Sequence, residues 1–198
     1  YKIQHKIMKY IGPDFCNITT LLTDEELLIQ KTANEFVTKE FMPLVNEYYE
    51  KGSFPVELIP KMGELGFFGA TLPKKYGGSE VSSTAYGLIM QELEKGDSGL
   101  RSVCSVQGGL VMYPIFQYGT EEQKDKWLPK LASGEAVGCF GLTESNHGSD
   151  PGGMATKAVK DGDDWIINGS KMWITNGTVA DVAVVWAKDE EGIVRGFL

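Results

Sequence analysis

Two polar segments in the second half of the chain carry side chains suited to binding a flat cofactor. Segment 140–150 reads FGLTESNHGSD, and segment 173–176 reads WITN. They offer hydroxyl groups, an aromatic ring and a glycine that lets backbone N–H groups approach a ligand closely. These residues are Thr143, Gly148, Ser149, Trp173 and Thr175. Such donors suit the edges of a flavin and the amide-rich arm of coenzyme A, but the pattern is equally typical of two ordinary sheet strands.

A second candidate site lies in the first half of the chain. Arg101 and Ser105 are four residues apart in a stretch that the sequence predicts to be helical, so both face the same side of the helix. Arginine is the side chain best shaped to hold a carboxylate through paired donors. The pair therefore predicts a site for an anionic group, and the alternative is a structural ion pair in which Arg101 bridges Asp97 or Glu94.

Helical patterns fill the chain from residue 23 to residue 134. Thr23 and Glu26 have the spacing of a capping box, and apolar residues follow at helical intervals. Ser82 or Ser83 and Thr120 offer further helix starts. We expect five helices: about 24–50 with a bend at Pro43, a short one after Pro55, one from 83 to Gly96, one from Ser98 to Tyr118 broken near Gly108–Gly109 or Pro114, and one after Thr120.

From Glu135 the pattern changes to runs of β-forming residues. The expected strands are 137–142, 156–159, 165–167, 172–175, 182–187 and a last one at 196–198. Asn168–Gly169 predicts a tight hairpin between two of them. Because the last strand reaches the end of the chain without a turn, we expect the β domain to be incomplete. The predicted domains are an arm (1–22), a helical domain (23–134) and a partial β domain (135–198), an α+β multidomain chain.

Composition narrows the classes of function. The 198 residues are 42% hydrophobic, enough for a real core, and the net charge of −8 argues against nucleic acid as the main partner. No run of about 18 apolar residues predicts a membrane span. Cys16, Cys104 and Cys139 lie in or beside apolar runs, so we expect buried, reduced thiols and a reducing compartment. The two histidines, His5 and His147, lack neighbours at ligand spacing, so we expect no metal site.

The two polar segments resemble those of acyl-CoA dehydrogenases, which read G-[LV]-T-E-x-x-x-G-S-D and W-I-[TS]-N at this separation. Further segments are similar to the glutaryl-CoA dehydrogenase branch of that family. They are ELE at 92–94, DSG at 97–99, RS at 101–102, SVQ at 105–107, LVM at 110–112 and GCFG at 138–141. The resemblance extends from about Leu22 to Leu198. Ser145 and His147 depart from it, since proline and a small residue are usual there.

The resemblance implies a role for each candidate residue. Thr143 would bind the pyrimidine edge of FAD, Trp173 would pack beside the ring system, and Thr175 would donate toward the N5 atom. Ser149 would contact the thioester arm of the acyl-CoA. Other residues of the same segments would complete the flavin site: Phe140, Leu142, Gly148 and Ile174. Four residues of the helical domain would form the substrate site. Arg101, with Ser102 and Ser105, would hold the distal carboxylate, and Glu94 would be hydrogen-bonded to Arg101.

The implied activity is the FAD-dependent α,β-dehydrogenation of an acyl-CoA thioester. Glutaryl-CoA is the favoured substrate, oxidised and decarboxylated to crotonyl-CoA and CO2, with electrons passed to an electron-transfer flavoprotein. The family implies a homotetramer in the cytoplasm, or in the mitochondrial matrix of a eukaryote. It also implies that a C-terminal helical domain with the catalytic base is missing, so we expect the 198 residues alone to be inactive. Two alternatives remain: a monocarboxylic short-chain acyl-CoA dehydrogenase, and a non-catalytic fragment that binds flavin or acyl-CoA.

Overall fold

The computed structural model describes residues 14–198, in which a set of helices is followed by a mixed β-sheet. Most of the predicted arm, residues 1–13, lies outside the described residues, and Ile18–Leu21 form a short 3-10 helix. The predicted order, a helical domain and then a β domain, is confirmed. The helices are α1 (Asp24–Phe36), α2 (Val45–Lys51), α3 (Ile59–Glu64), α4 (Ser83–Gly96), α5 (Ser98–Ser105), α6 (Tyr113–Tyr118) and α7 (Glu121–Ser133).

Side-chain caps fix where the main helices begin. Thr23 and Glu26 form the predicted capping box at the start of α1, and Thr120 forms another with Gln123 at the start of α7. Ser82 accepts a hydrogen bond from the backbone N–H of Ala85 and caps α4. These contacts satisfy N–H groups that a helix leaves without partners in its first turn. The helix starts predicted from short polar residues are therefore confirmed.

Two of the predicted long helices change form along their length. The helix expected over 24–50 passes into a π-helical segment, Val37–Phe41, and is interrupted around Pro43 before α2. Between α5 and α6 the chain stays helical through a second π segment, Val106–Met112, which contains Gly108. A Cβ on Gly108 would lie 2.4 Å from the carbonyl oxygen of Phe68, so this segment lies directly against neighbouring backbone. The predicted break at Gly108–Gly109 is a change of helix type.

The sheet contains both parallel and antiparallel pairs. Its strands are β1 (Gly138–Gly141), β2 (Lys157–Asp161), β3 (Asp164–Asn168), β4 (Val182–Lys188) and β5 (Val194–Phe197). The path runs β1, β4, β2, β3, and β5 pairs with β4. Strand β1 is parallel to β4, with Gly138 opposite Val182, while β2 and β3 form an antiparallel hairpin. Strand β1 therefore connects the helical domain to the sheet.

Two predictions for the β domain are wrong. The hairpin turn lies between Asp161 and Asp164 around Gly162, whose φ is +59°, and not at Asn168–Gly169. Gly169 lies instead against Thr156, because a Cβ there would be 2.2 Å from the threonine hydroxyl oxygen. The expected strand at 172–175 is a loop, in which Trp173 has a φ of +60°. A left-handed residue cannot continue a strand, so the apolar pattern of this segment was misleading.

The cysteine prediction is partly wrong. Cys104 and Cys139 are buried thiols, but Cys16 is exposed. The neighbouring Phe15 and Ile18 are exposed as well, so the apolar run around Cys16 does not reach the core of the described part. Across residues 14–198, no helix is long and apolar enough to cross a membrane.

The helices and the sheet share one hydrophobic core. Val111 and Met112 of the second π segment belong to the same buried cluster as Val182 and Val184 of β4. The contact is closest at Gly138, where an added Cβ would lie 2.4 Å from Cγ1 of Val111. A larger residue at this point would force Val111 or β1 to shift, because packed interiors have no spare volume for a methyl group.

Replacing Gly138 with alanine tests this close approach. We expect Gly138→Ala to lower the free energy of unfolding by about 1–3 kcal/mol, because β1 must move away from Val111. The matched control is Gly87→Ala on the exposed face of α4, where an added Cβ meets no atom within 4 Å. That change raises helix propensity and should stabilise by about 0.5–1 kcal/mol. Thermal unfolding of both variants checks the prediction, and equal melting temperatures would contradict it.

Candidate functional site

A buried carboxylate, Glu144, organises the loops of the first candidate segment. Its side chain is 7% exposed and accepts hydrogen bonds from the backbone N–H groups of Ala155 (2.7 Å) and Thr156 (3.0 Å). It also accepts one from the Thr156 hydroxyl and forms an ion pair of 2.8 Å with Lys171, whose side chain is 11% exposed. Three separate parts of the chain therefore meet at one carboxylate.

The same contacts set the protonation state of Glu144. Burial by itself raises the pKa of a carboxyl group, but here Lys171, Thr156 and two backbone N–H groups outweigh it and lower the pKa to about 2. Glu144 is therefore ionised throughout the physiological range. A buried charge of this kind is stable only while its partners stay in place.

Loop 169–176 is fixed against strand β1 and the loop that follows it. The backbone N–H of Met172 donates to the carbonyl oxygen of Thr143 at 2.8 Å, and Lys171 Nζ donates to that of Leu142 at 3.0 Å. The Asn176 side chain donates to the carbonyl oxygen of Gly138 at 3.1 Å. The structure thus brings the two candidate flavin segments together along one edge of β1, although they are about thirty residues apart in sequence.

The polar groups at this edge are available to a ligand. Within residues 14–198, the hydroxyls of Thr143, Ser149 and Thr175 make no hydrogen bond to another group. Trp173 is 86% exposed, so its ring is not part of the core. An exposed indole ring and hydroxyls without protein partners are groups that a flat ligand can contact.

The remaining predicted flavin residues occupy mixed environments. Phe140 is partly buried and packs edge-on against Trp186 beside the core, with ring centroids 6.0 Å apart, so part of its ring is covered by protein. Ile174 and Leu142 are half-buried. Gly148 is exposed, and an added Cβ would meet no atom within 4 Å, so the surrounding protein does not itself require a glycine there. Contacts of these four residues with a cofactor remain predictions.

Glu94 of α4 and Arg101 and Ser105 of α5 form a polar cluster, here called the Arg101 cluster. Arg101 Nε donates to Glu94 at 2.7 Å, and Nη1 donates to the Ser105 hydroxyl at 3.2 Å. Ser98 and Arg101 together lower the pKa of Glu94, so the pair is charged. The Arg101 side chain is 35% exposed, and its Nη2 makes no hydrogen bond or ion pair with a described residue. Ser102 is half-buried beside it, with its hydroxyl unpaired in that same part of the chain.

The two candidate sites are not joined by any direct polar contact among the residues that the structure describes. No hydrogen bond or ion pair there connects the Arg101 cluster to any of the three residues Thr143, Ser149 and Thr175. Within 14–198, no group of three or more histidine, cysteine, aspartate or glutamate side chains is placed to hold a metal ion.

Sequence reasoning missed four residues that shape the site. They are Glu144, Thr156, Lys171 and Asn176, none of which was among the candidate residues. Glu144 lies between Thr143 and Ser145, and Lys171 follows Ser170, so no local apolar pattern marked either residue as buried.

Comparison with known families decides what this arrangement belongs to. The profile of the acyl-CoA dehydrogenase N-terminal domain matches residues 23–135, and that of the acyl-CoA dehydrogenase middle domain matches residues 139–197. The chain belongs to the acyl-CoA dehydrogenase family. The resemblance drawn from the two polar segments is therefore confirmed.

Solved members of the family have the same fold. A glutaryl-CoA dehydrogenase from Mycobacterium smegmatis is 54% identical, with a TM-score of 0.87 over 91% of this chain and 46% of its own. A structure of a glutaryl-CoA dehydrogenase from the same organism in complex with FADH2 is 49% identical, with a TM-score of 0.89 over 92% of this chain and 47% of its own. The prediction of an FAD cofactor agrees with the flavin named in that complex.

Curated relatives include other members of the family. A probable acyl-CoA dehydrogenase, YngJ, of Bacillus subtilis is 41% identical over 89% of this chain and 48% of its own length. The mitochondrial short-chain specific acyl-CoA dehydrogenase of Bos taurus is 35% identical over 87% of this chain and 42% of its own length. The chain thus spans about half the length of the proteins that it matches.

Replacing Glu144 tests its role as the anchor of the loops. We expect Glu144→Gln to lower the free energy of unfolding at pH 7 by about 3 kcal/mol or more, because Lys171 is left buried without its partner. The pKa of Glu144 falls from its ordinary 4.5 to about 2 on folding. Its charge therefore stabilises the fold fully above pH 4.5, and this contribution is lost as the pH falls toward 2.

The measurement is urea unfolding of the natural protein and the variant at pH 7, 5 and 3.5. The difference between them should narrow at the lowest pH. The control is Glu135→Gln, since the Glu135 side chain is 66% exposed in its pair with Lys130 and should contribute about 0.5 kcal/mol or less. A Glu144→Gln deficit that is small at pH 7, or the same at all three pH values, would argue against the anchor.

Proposed function

We propose that the natural protein containing this chain is an FAD-dependent glutaryl-CoA dehydrogenase. It oxidises glutaryl-CoA across the α,β bond and releases CO2 to give crotonyl-CoA. The observation that carries the substrate assignment is Arg101, which Glu94 and Ser105 hold while its Nη2 stays unpaired in the described part of the chain. Similarity to glutaryl-CoA dehydrogenases at 54% and 49% identity supports the same assignment.

Arg101 would bind the distal carboxylate of the substrate. Glu94 fixes the Nε side of the guanidinium, so the unpaired Nη2 can donate to the incoming carboxylate without a rotation of the side chain. The Ser102 hydroxyl lies on the same helix and can supply a further donor. The Ser105 hydroxyl already donates to the Ser102 carbonyl oxygen at 3.2 Å, so Ser105 would act by holding Arg101 in place. Binding at this end leaves the thioester and the reacting carbons toward the other site, where Ser149 would contact the thioester arm.

The residues at the edge of β1 would bind the flavin. FAD, when bound, supplies the acceptor for the hydride from the β-carbon. The unpaired hydroxyls of Thr143 and Thr175 would donate to the pyrimidine edge and toward N5, and the exposed ring of Trp173 would cover one side of the ring system. Phe140, Leu142, Gly148 and Ile174 would border this site. The Glu144–Lys171 pair would hold both segments in place without touching the cofactor.

Similarity to the family supports a proposal for the wider biological setting. Electrons would pass to an electron-transfer flavoprotein, and a solved structure from work on the electron transferring flavoprotein of Acidaminococcus fermentans is 40% identical to this chain, with a TM-score of 0.85. We further propose a homotetramer in the cytoplasm, or in the mitochondrial matrix in a eukaryote. The activity belongs to the natural protein, because the chain spans about half the length of its relatives.

A monocarboxylic acyl-CoA dehydrogenase is the second candidate. The Arg101–Glu94 ion pair is also what a purely structural role of the arginine predicts, and the Bos taurus relative is specific for short chains. Anaerobic titration of the natural flavoprotein with glutaryl-CoA, and in parallel with butyryl-CoA, separates the two. Bleaching of the flavin absorbance at much lower glutaryl-CoA concentration supports the proposal. Equal or reversed sensitivity favours the second candidate, and no response to either favours a non-catalytic binding protein.

Replacing Arg101 tests the carboxylate site itself. We expect Arg101→Gln to lower kcat/KM for glutaryl-CoA by about a hundredfold, since a carboxylate loses its charged partner, and to change that for butyryl-CoA little. The control is Arg195→Gln, which removes the other arginine of the sequence from an ion pair with Asp189. This control should leave both activities unchanged. Equal losses for the two substrates in Arg101→Gln would show that the arginine has a structural role only.

A further inference from the structure

A single residue at the start of β1, Gly138, is held from both sides by buried amide side chains. Its backbone N–H donates to Oε1 of Gln107 at 2.8 Å, and its carbonyl oxygen accepts from Nδ2 of Asn176 at 3.1 Å. Gln107 is 1% exposed and Asn176 is 9% exposed, so water does not compete for either bond. The two side chains come from opposite domains, one from the helices and one from loop 169–176.

The hydrogen bonds of Gln107 leave it no alternative orientation. Its Nε2 donates to the carbonyl oxygens of Leu131 (2.9 Å) and Ala136 (2.8 Å), while Oε1 accepts from Gly138. An amide has both the donors and the acceptor that this arrangement needs, whereas a carboxylate lacks the donors and a thioether lacks the donors and is only a weak acceptor. Gln107 therefore links the end of α7, the connection to the sheet and the start of β1.

Asn176 closes the opposite side of the same residue. Its φ of +66° is a left-handed conformation that asparagine tolerates better than most residues. Its buried side chain ties the WITN loop to β1 at Gly138. The Val111 side chain packs directly against Gly138, since an added Cβ would lie 2.4 Å from its Cγ1. Two hydrogen bonds and this packing contact therefore meet at the start of β1.

Gln107 and Asn176 lie close in sequence to the two parts of the proposed site, here called the half-sites: the carboxylate site around Arg101 and the flavin site around Thr175. Gln107 lies two residues after Ser105, in the π segment that continues α5, and Asn176 directly follows Thr175. We propose that Gln107 and Asn176 are positioning residues, which act through Gly138 to fix the distance between the carboxylate site around Arg101 and the flavin site around Thr175. The inference rests on the proposed function, since it concerns the geometry between substrate and flavin.

The reaction makes this distance important. The β-carbon must lie within hydride-transfer reach of N5 while the distal carboxylate stays on Arg101, so the two half-sites define the substrate geometry from its ends. A misplacement of about 1 Å costs roughly a hundredfold in rate even when binding is retained. Removing the hydrogen bonds that hold Gly138 should therefore slow hydride transfer, and it should change the binding of FAD and of glutaryl-CoA little.

The test is anaerobic stopped-flow reduction of the natural flavoprotein by glutaryl-CoA, with the variants Gln107→Met and Asn176→Asp. Methionine keeps the approximate size of glutamine without its hydrogen bonds, and aspartate keeps the shape of asparagine without its donor. We expect the limiting rate constant of flavin reduction to fall by about tenfold or more in each. FAD content and the dissociation constant of glutaryl-CoA should stay close to those of the natural protein. The double variant should lose less than the product of the single losses, because both act on Gly138.

Two controls separate positioning from general destabilisation. Gln117→Met makes the same substitution at an exposed position of α6. Leu128→Ala creates a cavity in the core at α7 and should lower the melting temperature without touching the bonds to Gly138. Both should reduce their flavin at the natural rate.

The outcomes distinguish this inference from the function on which it rests. Two results overturn the positioning role alone. In the first, Gln107→Met and Asn176→Asp reduce their flavin within about twofold of the natural rate. In the second, Leu128→Ala, with a melting temperature equal to theirs, loses as much of the reduction rate as they do. Losses that follow entirely from lost FAD or weaker glutaryl-CoA binding overturn it as well. A natural protein whose flavin neither glutaryl-CoA nor butyryl-CoA bleaches overturns the proposed function and this inference with it.

Discussion

The close contact between strand β1 and the π segment Val106–Met112 is the constraint around which the other features are arranged. At Gly138 the Val111 side chain lies so close to the strand backbone that an added Cβ would be 2.4 Å from its Cγ1. Buried amides then complete the hydrogen bonds of Gly138 on both sides. Because this contact joins the helical domain to the sheet, it also sets how the Arg101 cluster lies relative to the loops after β1.

The second organising feature is electrostatic. Glu144 is an ionised carboxylate in a buried position, and its stability there depends on Lys171, Thr156 and two backbone N–H groups. These partners lie in different loops, so the charge can be satisfied only when the loops have come together. The unpaired hydroxyls and the exposed Trp173 remain at the edge of this assembly. A rigid buried layer thus supports a surface layer that is left for ligands.

Much of the helical domain was predictable, because its signals are local. The caps at Thr23, Ser82 and Thr120 depend on residues within one turn, and the structure has all three. The Arg101–Ser105 pairing follows from helical periodicity in the same way. The β domain was less predictable: apolar residues at 172–175 suggested a strand, but Lys171 and Asn176 are drawn to partners on β1 and in the Thr143 loop, and the segment forms a loop.

The sequence by itself determined the order of helices and strands, the family resemblance and the residue types of both candidate sites, because these depend on periodicity and on short motifs. Only the tertiary structure decided that Glu144 is a buried anchor, that Trp173 is exposed, that Cys16 lies outside the core and that Gly138 joins the domains. The physical reason is range. A buried charge or a close backbone contact depends on partners tens of residues away, which no local pattern specifies.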